Sequence, residues 1–287
     1  MHLIMILAAL ALAWWYRSRW SQPQGSWTQR WQRSLSLFLL PPLLLLMTAA
    51  SVLCMGPTEP LTGEWEGRFS YLLASGFCGF AGFLCFKLAS QSWMTVRRVR
   101  TCPQLNFMGE HSRVLDNPIP FSALIGFWQP ELIVSQGLLN TLDQDHLEAV
   151  FKHEQGHYYY RDTFWFFWLG WLRSITAWLP HTEALWQELL LLREMRADRW
   201  AAQQVDPLLL AESLLVVIST LPMQSDNCCA AFSCSAPYNR LEERIEALLA
   251  EPELIPQPSL LSWTWLLLAF LPFAAIPFHT CSHLGAH

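Results

Sequence analysis

The sequence has few charged residues and almost no lysine. Charged side chains make up 14% of the 287 residues, well below the roughly 25% that is usual in a soluble domain. Lysine occurs only at Lys87 and Lys152, while hydrophobic residues make up 53% of the chain and the net charge is -5. This composition excludes direct binding of nucleic acid as an expected function and predicts a mainly α membrane protein embedded in a lipid bilayer.

The eight cysteines lack any regular spacing. A disulfide framework shows paired cysteines at recurrent intervals in a secreted chain, so we expect no disulfides. Cys228, Cys229 and Cys234 cluster in a polar stretch, where free thiols are the simplest interpretation. A redox or metal switch at these three residues is the alternative.

Four segments are apolar enough to cross a bilayer, which takes about 20 residues of helix. The third carries glycines on closely spaced turns, which either form a small-residue face for a neighbouring helix or are merely tolerated. The sequence thus predicts about four transmembrane helices. They are the segments 3–16, 35–55, 69–89 and 260–278.

The placement of arginines predicts the orientation of these spans. Arginines cluster at 17–33 and again at 97–100, and basic loops stay in the cytoplasm. The N-terminus is then outside. A cleaved signal peptide is the alternative, but here the arginines follow the first apolar segment instead of preceding it. The predicted organisation is three N-terminal helices in 1–89, a cytoplasmic domain in 90–255, and a last helix with a short tail in 256–287.

The most informative motif is His153-Glu154-Gln155-Gly156-His157, which reads HExxH. Residues four apart share one face of a helix, so both imidazoles can bind one divalent cation. Glu154 then lies beside the open position of that cation, where a general base is needed. A capping pattern at 141–144 and apolar residues at helical spacing predict that the motif lies on a helix.

A catalytic zinc ion needs at least one further protein ligand and one open position. In a predicted helix at 185–202, Glu194 and Asp198 are four residues apart. Glu194 could complete a His-His-Glu ligand set, and Asp198 could accept the N–H of a ligand imidazole. The alternative is that both acids pair with the arginines at 193, 196 or 199 on a solvated helix face.

Two further segments bear on the site. The runs 121–128 and 132–135 are β-prone and predict a hairpin, whose edge either aligns an extended peptide or is structural only. The stretch 164–179 is rich in Trp and Phe but contains Arg173, which opposes a membrane crossing. A single crossing would also separate Glu194 from the HExxH motif by the bilayer. This stretch therefore predicts a helix lying in the membrane interface.

The motifs, in this order, resemble those of membrane-bound gluzincin metallopeptidases typified by the BlaR/MecR antirepressor receptors, over roughly residues 90–250. This resemblance implies a cytoplasmic α+β zincin domain in a bacterial inner membrane. It also implies that the substrate is a protein or peptide, such as a transcriptional repressor or the receptor itself. The matching features are a strand region, HExxH followed by Arg161-Asp162, the stretch 178–186, the ExxxD pair, and a closing helix at 237–249 with Arg240, Arg244 and Ile245.

The mechanism expected from these residues is metal-assisted hydrolysis of a peptide bond. Zn2+ held by His153, His157 and Glu194 would activate a water molecule, and Glu154 would accept the proton and later donate it to the leaving amine. Asp198 would orient one of the imidazoles.

Two assignments stay open at this stage. Asp162 could orient a histidine or lie at a helix terminus, but a surface pair with Arg161 is the preferred interpretation. A residue that stabilises the oxyanion should exist, and the candidates near the motif are Tyr158, Tyr160 and His181. Sequence position alone does not choose among them.

Other functions are also compatible with the motifs. No counterpart of the receptors' C-terminal penicillin-binding sensor domain follows residue 278, so direct β-lactam sensing is not expected. The HtpX and CAAX-processing peptidases share HExxH with a downstream ExxxD or ExxxE, which makes membrane quality control or processing an alternative activity. A non-catalytic signalling scaffold is a third possibility, although the intact ligand set argues against it.

Overall fold

The computed structural model describes residues 2–21, 24–57, 64–107, 110–219, 240–250 and 260–277. Most of them are helical, and four short strands lie between the third and fourth helices. Within these ranges the helices are α1 His2–Arg17, α2 Trp27–Met55, α3 Glu64–Val99, α4 Gln136–Thr141, α5 Gln144–Tyr159, α6 Asp162–Ile175, α7 Thr182–Ala201, α8 Pro207–Ser219 and α9 Leu241–Leu249, followed by a 3₁₀ helix at Leu260–Ala275. The strands are β1 Gln104–Phe107, β2 Glu110–Leu115, β3 Ser122–Ile125 and β4 Glu131–Ser135.

The chain divides into two compact units. Unit 1 comprises residues 1–86, 171–188 and 255–287, and unit 2 comprises residues 87–170 and 189–254. The segment 171–188 is part of unit 1, although in sequence it lies between the two parts of unit 2. The domain limits after residues 89 and 255 stay predictions. HExxH and the ExxxD pair both belong to unit 2.

In the described part of the chain, two helices are long and apolar enough to cross a membrane. They are α2 and the segment Trp65–Val99 of α3. The prediction of four spans is not confirmed, because α1 and the 3₁₀ helix have 16 residues each and a span takes about 20. Large apolar side chains on α3 are exposed, as expected for a surface that faces lipid. Leu72, Phe83 and Phe86 are examples.

The four strands form one sheet in the order β1-β2-β4-β3. The predicted hairpin is confirmed, since β3 pairs antiparallel with β4. Gly126, just after β3, has a φ of +139°, and a Cβ there would lie 2.8 Å from the carbonyl oxygen of Gln129. This turn therefore requires glycine. β4 also pairs in parallel with β2, so β3 is left at an edge of the sheet.

The helix α5 carries HExxH, as the sequence predicts. Its first turn is capped by Asp143, whose side chain accepts a hydrogen bond from the backbone N–H of His146 at 3.0 Å. The predicted capping pattern began two residues earlier, at Thr141, where α4 ends instead. Leu147, Val150 and Phe151 bury one face of α5 in a core shared with β2, β4 and α4. This packing fixes the histidine face of the helix relative to the sheet.

Two other predicted helices lie near their expected positions. α7 covers Thr182–Ala201 and α6 covers Asp162–Ile175. With 14 residues, α6 is too short to cross a bilayer, which agrees with the argument against a crossing. The closing helix is α9. Residues 237–239 of its predicted range, and Cys228, Cys229 and Cys234, lie outside the described residues.

Candidate metal centre

Two histidines of α5 face each other within unit 2. The Nε2 atoms of His153 and His157 are 3.1 Å apart, because residues four apart lie one above the other on a helix. Their other ring nitrogens are turned toward carboxylates. Nδ1 of His153 lies 2.8 Å from Oδ1 of Asp198, and Nδ1 of His157 lies 2.7 Å from Oδ2 of Asp162. Both rings are thereby held with Nε2 directed at a common point.

Helix α7 brings Glu194 to that same point. Its Oε2 lies 3.3 Å from Nε2 of His153, and its Oε1 lies 3.6 Å from Nε2 of His157. α5 and α7 can approach this closely because Gly156 has no side chain. A Cβ at Gly156 would lie 3.2 Å from both Cα and the carbonyl oxygen of Ala197, which is tighter than ordinary van der Waals contact.

The three converging residues fit a divalent cation. Ligand atoms bound tetrahedrally at about 2.0 to 2.1 Å lie about 3.3 to 3.4 Å from one another, and the distances between the two Nε2 atoms and the Glu194 oxygens are 3.1 to 3.6 Å. With a proton on each Nδ1 facing its carboxylate, both Nε2 atoms present lone pairs to a negatively charged group. The two lone pairs and the carboxylate of Glu194 repel one another unless a cation or a proton lies between them.

Buried arginines balance the acids around this centre. Arg193 donates from Nε and Nη2 to Oε1 of Glu194 at 2.9 and 2.5 Å. Arg244 of α9 donates from Nε and Nη2 to the two carboxylate oxygens of Asp198, both at 2.8 Å. Arg196 donates to Asp162. These three cations face four carboxylates when Glu154 is included, so one negative charge is left over unless an imidazole is protonated or a cation is bound.

Glu194 and Asp198 do not lie on a solvated helix face. Their exposed fractions are 6% and 2%, which overturns that alternative, although the expected pairing of Glu194 with Arg193 is present. Burial alone would raise both pKa values. Arg193 and His157 outweigh it and hold the pKa of Glu194 well below its usual value, and Arg244 and His153 do the same for Asp198 to a lesser degree. Both acids are therefore ionised at neutral pH.

The same charges act on the histidines in the opposite direction. Burial lowers the pKa of His153, but Asp198 and Glu194 outweigh it and raise the pKa to about 10. Burial likewise lowers the pKa of His157, and Glu194 and Asp162 raise it above its usual value. In the absence of a cation, a proton therefore occupies the centre at neutral pH.

This proton predicts a pH dependence of metal binding. Binding a cation must displace the proton from His153, so affinity is expected to rise with pH, by up to about tenfold per unit between pH 7 and pH 9. Without metal, the stability that this raised pKa contributes is complete below about pH 6.5 and is lost as the pH rises toward 10. Competition with a chelator at several pH values measures the slope. An affinity that is flat across this range would contradict the prediction.

Glu154 follows His153 on α5 and is held by a contact with the edge strand. Its side chain is buried, and its Oε1 accepts a hydrogen bond from Oγ of Ser122 at 2.7 Å. Ser122 is the first residue of β3. This contact could not be predicted from the sequence, because 32 residues separate the two side chains and a single serine at a strand start has no distinctive pattern.

Ser122→Ala is expected to lower kcat for peptide hydrolysis by about tenfold. A hydrogen bond to a charged group contributes about 1.5 to 3 kcal/mol, and its loss would leave Glu154 free to rotate away from the reacting atoms. KM is expected to change little, since the hydroxyl contacts the base and not the substrate. Ser122→Thr, which keeps the hydroxyl, is the matched control. A drop of the same size in both variants would show that the hydroxyl does not act through Glu154.

The predicted position of Asp162 at the surface is wrong. The preferred interpretation paired it with Arg161 at the surface, but Asp162 is buried and faces Nδ1 of His157. Arg161 adopts a φ of +54° in the turn between α5 and α6 and remains exposed. This turn directs Asp162 back toward the histidine five residues earlier. The spacing made an orienting role possible, and the burial decides in its favour.

The candidates for stabilising an oxyanion are separated in the structure. The ring of Tyr160 packs under the guanidinium of Arg196, with 4.1 Å between the guanidinium carbon and the ring centroid. Burial raises the pKa of Tyr160. Tyr158 is exposed, and His181 belongs to unit 1. None of the three has a described hydrogen bond to the centre.

Comparison with known proteins supports a peptidase. Residues 104–210 match the sequence model of peptidase family M48. The matched range begins at β1, includes HExxH and the ExxxD pair, and ends in α8. No curated protein and no solved structure matches the chain. The match supports a metallopeptidase of this family, and specificity of the receptor type stays a prediction.

Proposed function

We propose that this protein is a membrane-bound, zinc-dependent endopeptidase that hydrolyses a protein substrate. The observation that carries the proposal is the convergence of His153, His157 and Glu194 on one point, with the buried Glu154 next to His153 on α5. Two imidazoles and one carboxylate are a ligand set typical of catalytic zinc in peptidases. The match of this region to a peptidase family supports the same class of reaction.

The residues around the centre divide the chemical work. A zinc ion held by the two histidines and Glu194 would supply a Lewis acid that activates water at neutral pH and polarises the scissile carbonyl. Glu154 accepts the proton of the attacking water on a carboxylate oxygen and donates it to the leaving nitrogen. Ser122 keeps Oε1 of Glu154 engaged, so Oε2 is the oxygen that carries the proton. Asp162 and Asp198 keep the protons of the imidazoles on Nδ1.

The edge strand offers a way to position the peptide. Among the described strands, β3 pairs only with β4. The carbonyl of Phe121 accepts a hydrogen bond from the N–H of Ser135 at 2.8 Å. In an antiparallel pair, residues bonded to the neighbouring strand alternate with residues whose N–H and C=O groups point the other way. The backbone groups of Ser122 and Leu124 therefore face away from β4. An extended peptide can add to this edge by backbone pairing. Ser122 contacts Glu154, so a peptide aligned there passes the general base.

The location follows from the apolar helices and the arginines. α2 and α3 are proposed to cross a bacterial inner membrane, and the arginines at 97, 98 and 100 follow the apolar part of α3. Basic residues at the end of a span favour the cytoplasm, so the active site is proposed to face it. This location allows three kinds of substrate, namely a transcriptional repressor, the protein itself or another membrane-associated protein.

The test is to purify the full chain in detergent and measure bound metal together with proteolysis of casein. We expect about one zinc ion per chain, inhibition by 1,10-phenanthroline, and recovery on addition of zinc. Absence of both metal and proteolysis would contradict the proposal. Stoichiometric zinc without cleavage of casein or of any co-expressed membrane protein would favour the non-catalytic scaffold.

A further inference from the structure

An aromatic groove opens beside the candidate centre in unit 2. It lies between the turn that follows β3 and the junction of α5 with α6. Phe127 and Trp128 come from the turn, Tyr158 from the end of α5, and Phe164 and Trp165 from the first turns of α6. None of these five residues has a role in the proposed hydrolysis.

The walls of the groove are aromatic rings packed against one another. The Phe127 centroid lies 4.9 Å from that of Phe164 and 5.0 Å from that of Trp128, and the Trp128 and Phe164 centroids are 5.4 Å apart. Trp128 is nevertheless 76% exposed. The Trp128 ring packs against Phe127 and Phe164 and leaves most of its surface exposed. Because this packing restricts its rotation, the ring presents a fixed apolar surface and loses little conformational entropy on binding. Such a surface is suited to receive another apolar side chain.

The groove is connected to the centre by both elements that build it. Tyr158 directly follows the ligand His157, and Thr163, which also lines the groove, directly follows Asp162. On the other side, β3 contacts Glu154 through Ser122 at its first residue, and the chain reaches Phe127 five residues later. A strand advances about 3.3 Å per residue. A peptide paired along β3 therefore runs from the general base toward the groove.

We infer that this groove is a specificity pocket that receives a large apolar side chain, preferably aromatic, of the peptide substrate. The inference rests on the proposed function and adds the substrate class to it. From the length of β3, the side chain that enters lies about three to five residues from the scissile bond. The exposed guanidinium of Arg161 lines the same groove and favours an acidic group next to the aromatic residue.

A membrane surface is the competing occupant, because Trp and Tyr also anchor proteins at lipid interfaces. The geometry favours the peptide. Phe127 and Phe164 are partly buried against each other instead of projecting into the surroundings, and the groove continues the strand that contacts Glu154. The experiment must therefore distinguish these two occupants.

The experiment compares peptides that differ only by Phe or Ala, placed at successive positions on either side of a cleavage site mapped in casein. For the wild type we expect kcat/KM to favour Phe by about tenfold at one position, in line with the burial of one aromatic side chain. Trp128→Ala is expected to reduce that preference to about twofold by raising KM for the Phe peptide. Trp65→Ala is the matched control, since Trp65 is also exposed but belongs to unit 1.

A binding measurement keeps the test independent of turnover. Fluorescence anisotropy with the Glu154→Gln protein uses two labelled extended peptides that differ only by one central Phe or Ala and need no mapped cleavage site. The Phe peptide should bind about tenfold more tightly, and Trp128→Ala in that background should remove the preference. Equal binding of the two peptides, or an unchanged preference in Trp128→Ala, would overturn the inference. So would a Trp128→Ala variant that loses only its binding to anionic vesicles. If the wild type cleaves nothing but still binds the Phe peptide selectively, the proposed peptidase activity is refuted and the inference of a peptide-binding pocket is retained.

Discussion

Glu154→Gln is expected to abolish peptide hydrolysis and to leave the bound metal in place. Glutamine has nearly the same shape and can still accept the hydrogen bond that Ser122 donates at 2.7 Å, but it cannot accept a proton from water at neutral pH. General base catalysis contributes about 10²- to 10⁴-fold to a rate, so kcat is expected to fall by at least about a hundredfold. Elemental analysis for zinc and proteolysis of casein on the same preparation measure both effects.

The control is a glutamate on the same helix that faces solvent. Glu148 lies on α5 and is exposed, so Glu148→Gln removes one negative charge from the helix without touching the centre. It is expected to keep wild-type activity and metal content. Wild-type turnover in Glu154→Gln would refute the assignment of the base. Loss of zinc from that variant would show that Glu154 acts as a ligand.

Glu194→Gln is expected to have the largest effect on metal affinity. The variant keeps the size of the side chain and its hydrogen bond from Arg193, but it removes the negative charge that draws the cation. Loss of a residue that merely orients a ligand costs about 10- to 100-fold in affinity, so loss of the ligand is expected to exceed a hundredfold. Asp198→Asn should fall within the smaller range. Zinc competition with a chelator ranks the two variants.

Folding has to be monitored in this experiment, because Arg193 is buried beside Glu194. Removing one partner of a buried ion pair costs about 3 to 5 kcal/mol, and an amide that still accepts a hydrogen bond reduces that cost. Thermal unfolding of each protein with chelator present separates weak binding from misfolding. Glu183→Gln is the control on α7, since Glu183 is exposed and pairs with Arg173. Zinc bound to Glu194→Gln at wild-type affinity would exclude that residue as a ligand.

The sequence predicts the centre better than it predicts the membrane part. HExxH has a fixed spacing that only a helix turns into one face, so the convergence of His153 and His157 follows from local geometry. Glu194 is 37 residues after His157, yet an acidic pair at helical spacing after such a motif was enough to place it. Short chemical patterns of this kind are informative because each residue type is restricted by the reaction.

The spans were harder to predict because hydropathy does not give helix length. The segments 3–16 and 260–278 are as apolar as the second and third, but the helices found there have 16 residues. The first two strands also escaped prediction. β1 and β2 are short and include polar residues, and they are stabilised by pairing with each other and with β4 rather than by their own sequence.

The arginines around the centre could not be found from the sequence alone. Arg244 reaches Asp198 across 46 residues and Arg196 reaches Asp162 across 34, and nothing local indicates such pairs. Arg193 and Arg196 flank Glu194 in sequence, which left a solvated helix face as the alternative interpretation. Burial is a property of the tertiary structure, and it is burial that turns these ordinary pairs into the electrostatic setting of the centre.

Contact between α5 and α7 couples the two motifs sterically. Gly156 occupies a position that HExxH leaves unspecified, and Ala197 occupies one that ExxxD leaves unspecified, yet their atoms would come within 3.2 Å if Gly156 had a Cβ. In this chain the two variable positions are therefore not independent. A side chain at position 156 would have to shift α7 at Ala197 by a few tenths of an ångström, and Glu194, three residues before Ala197, would shift with it relative to the imidazoles. A search for proteins with this centre should therefore require a small residue at the position of Gly156 as well as the five residues that HExxH and ExxxD specify.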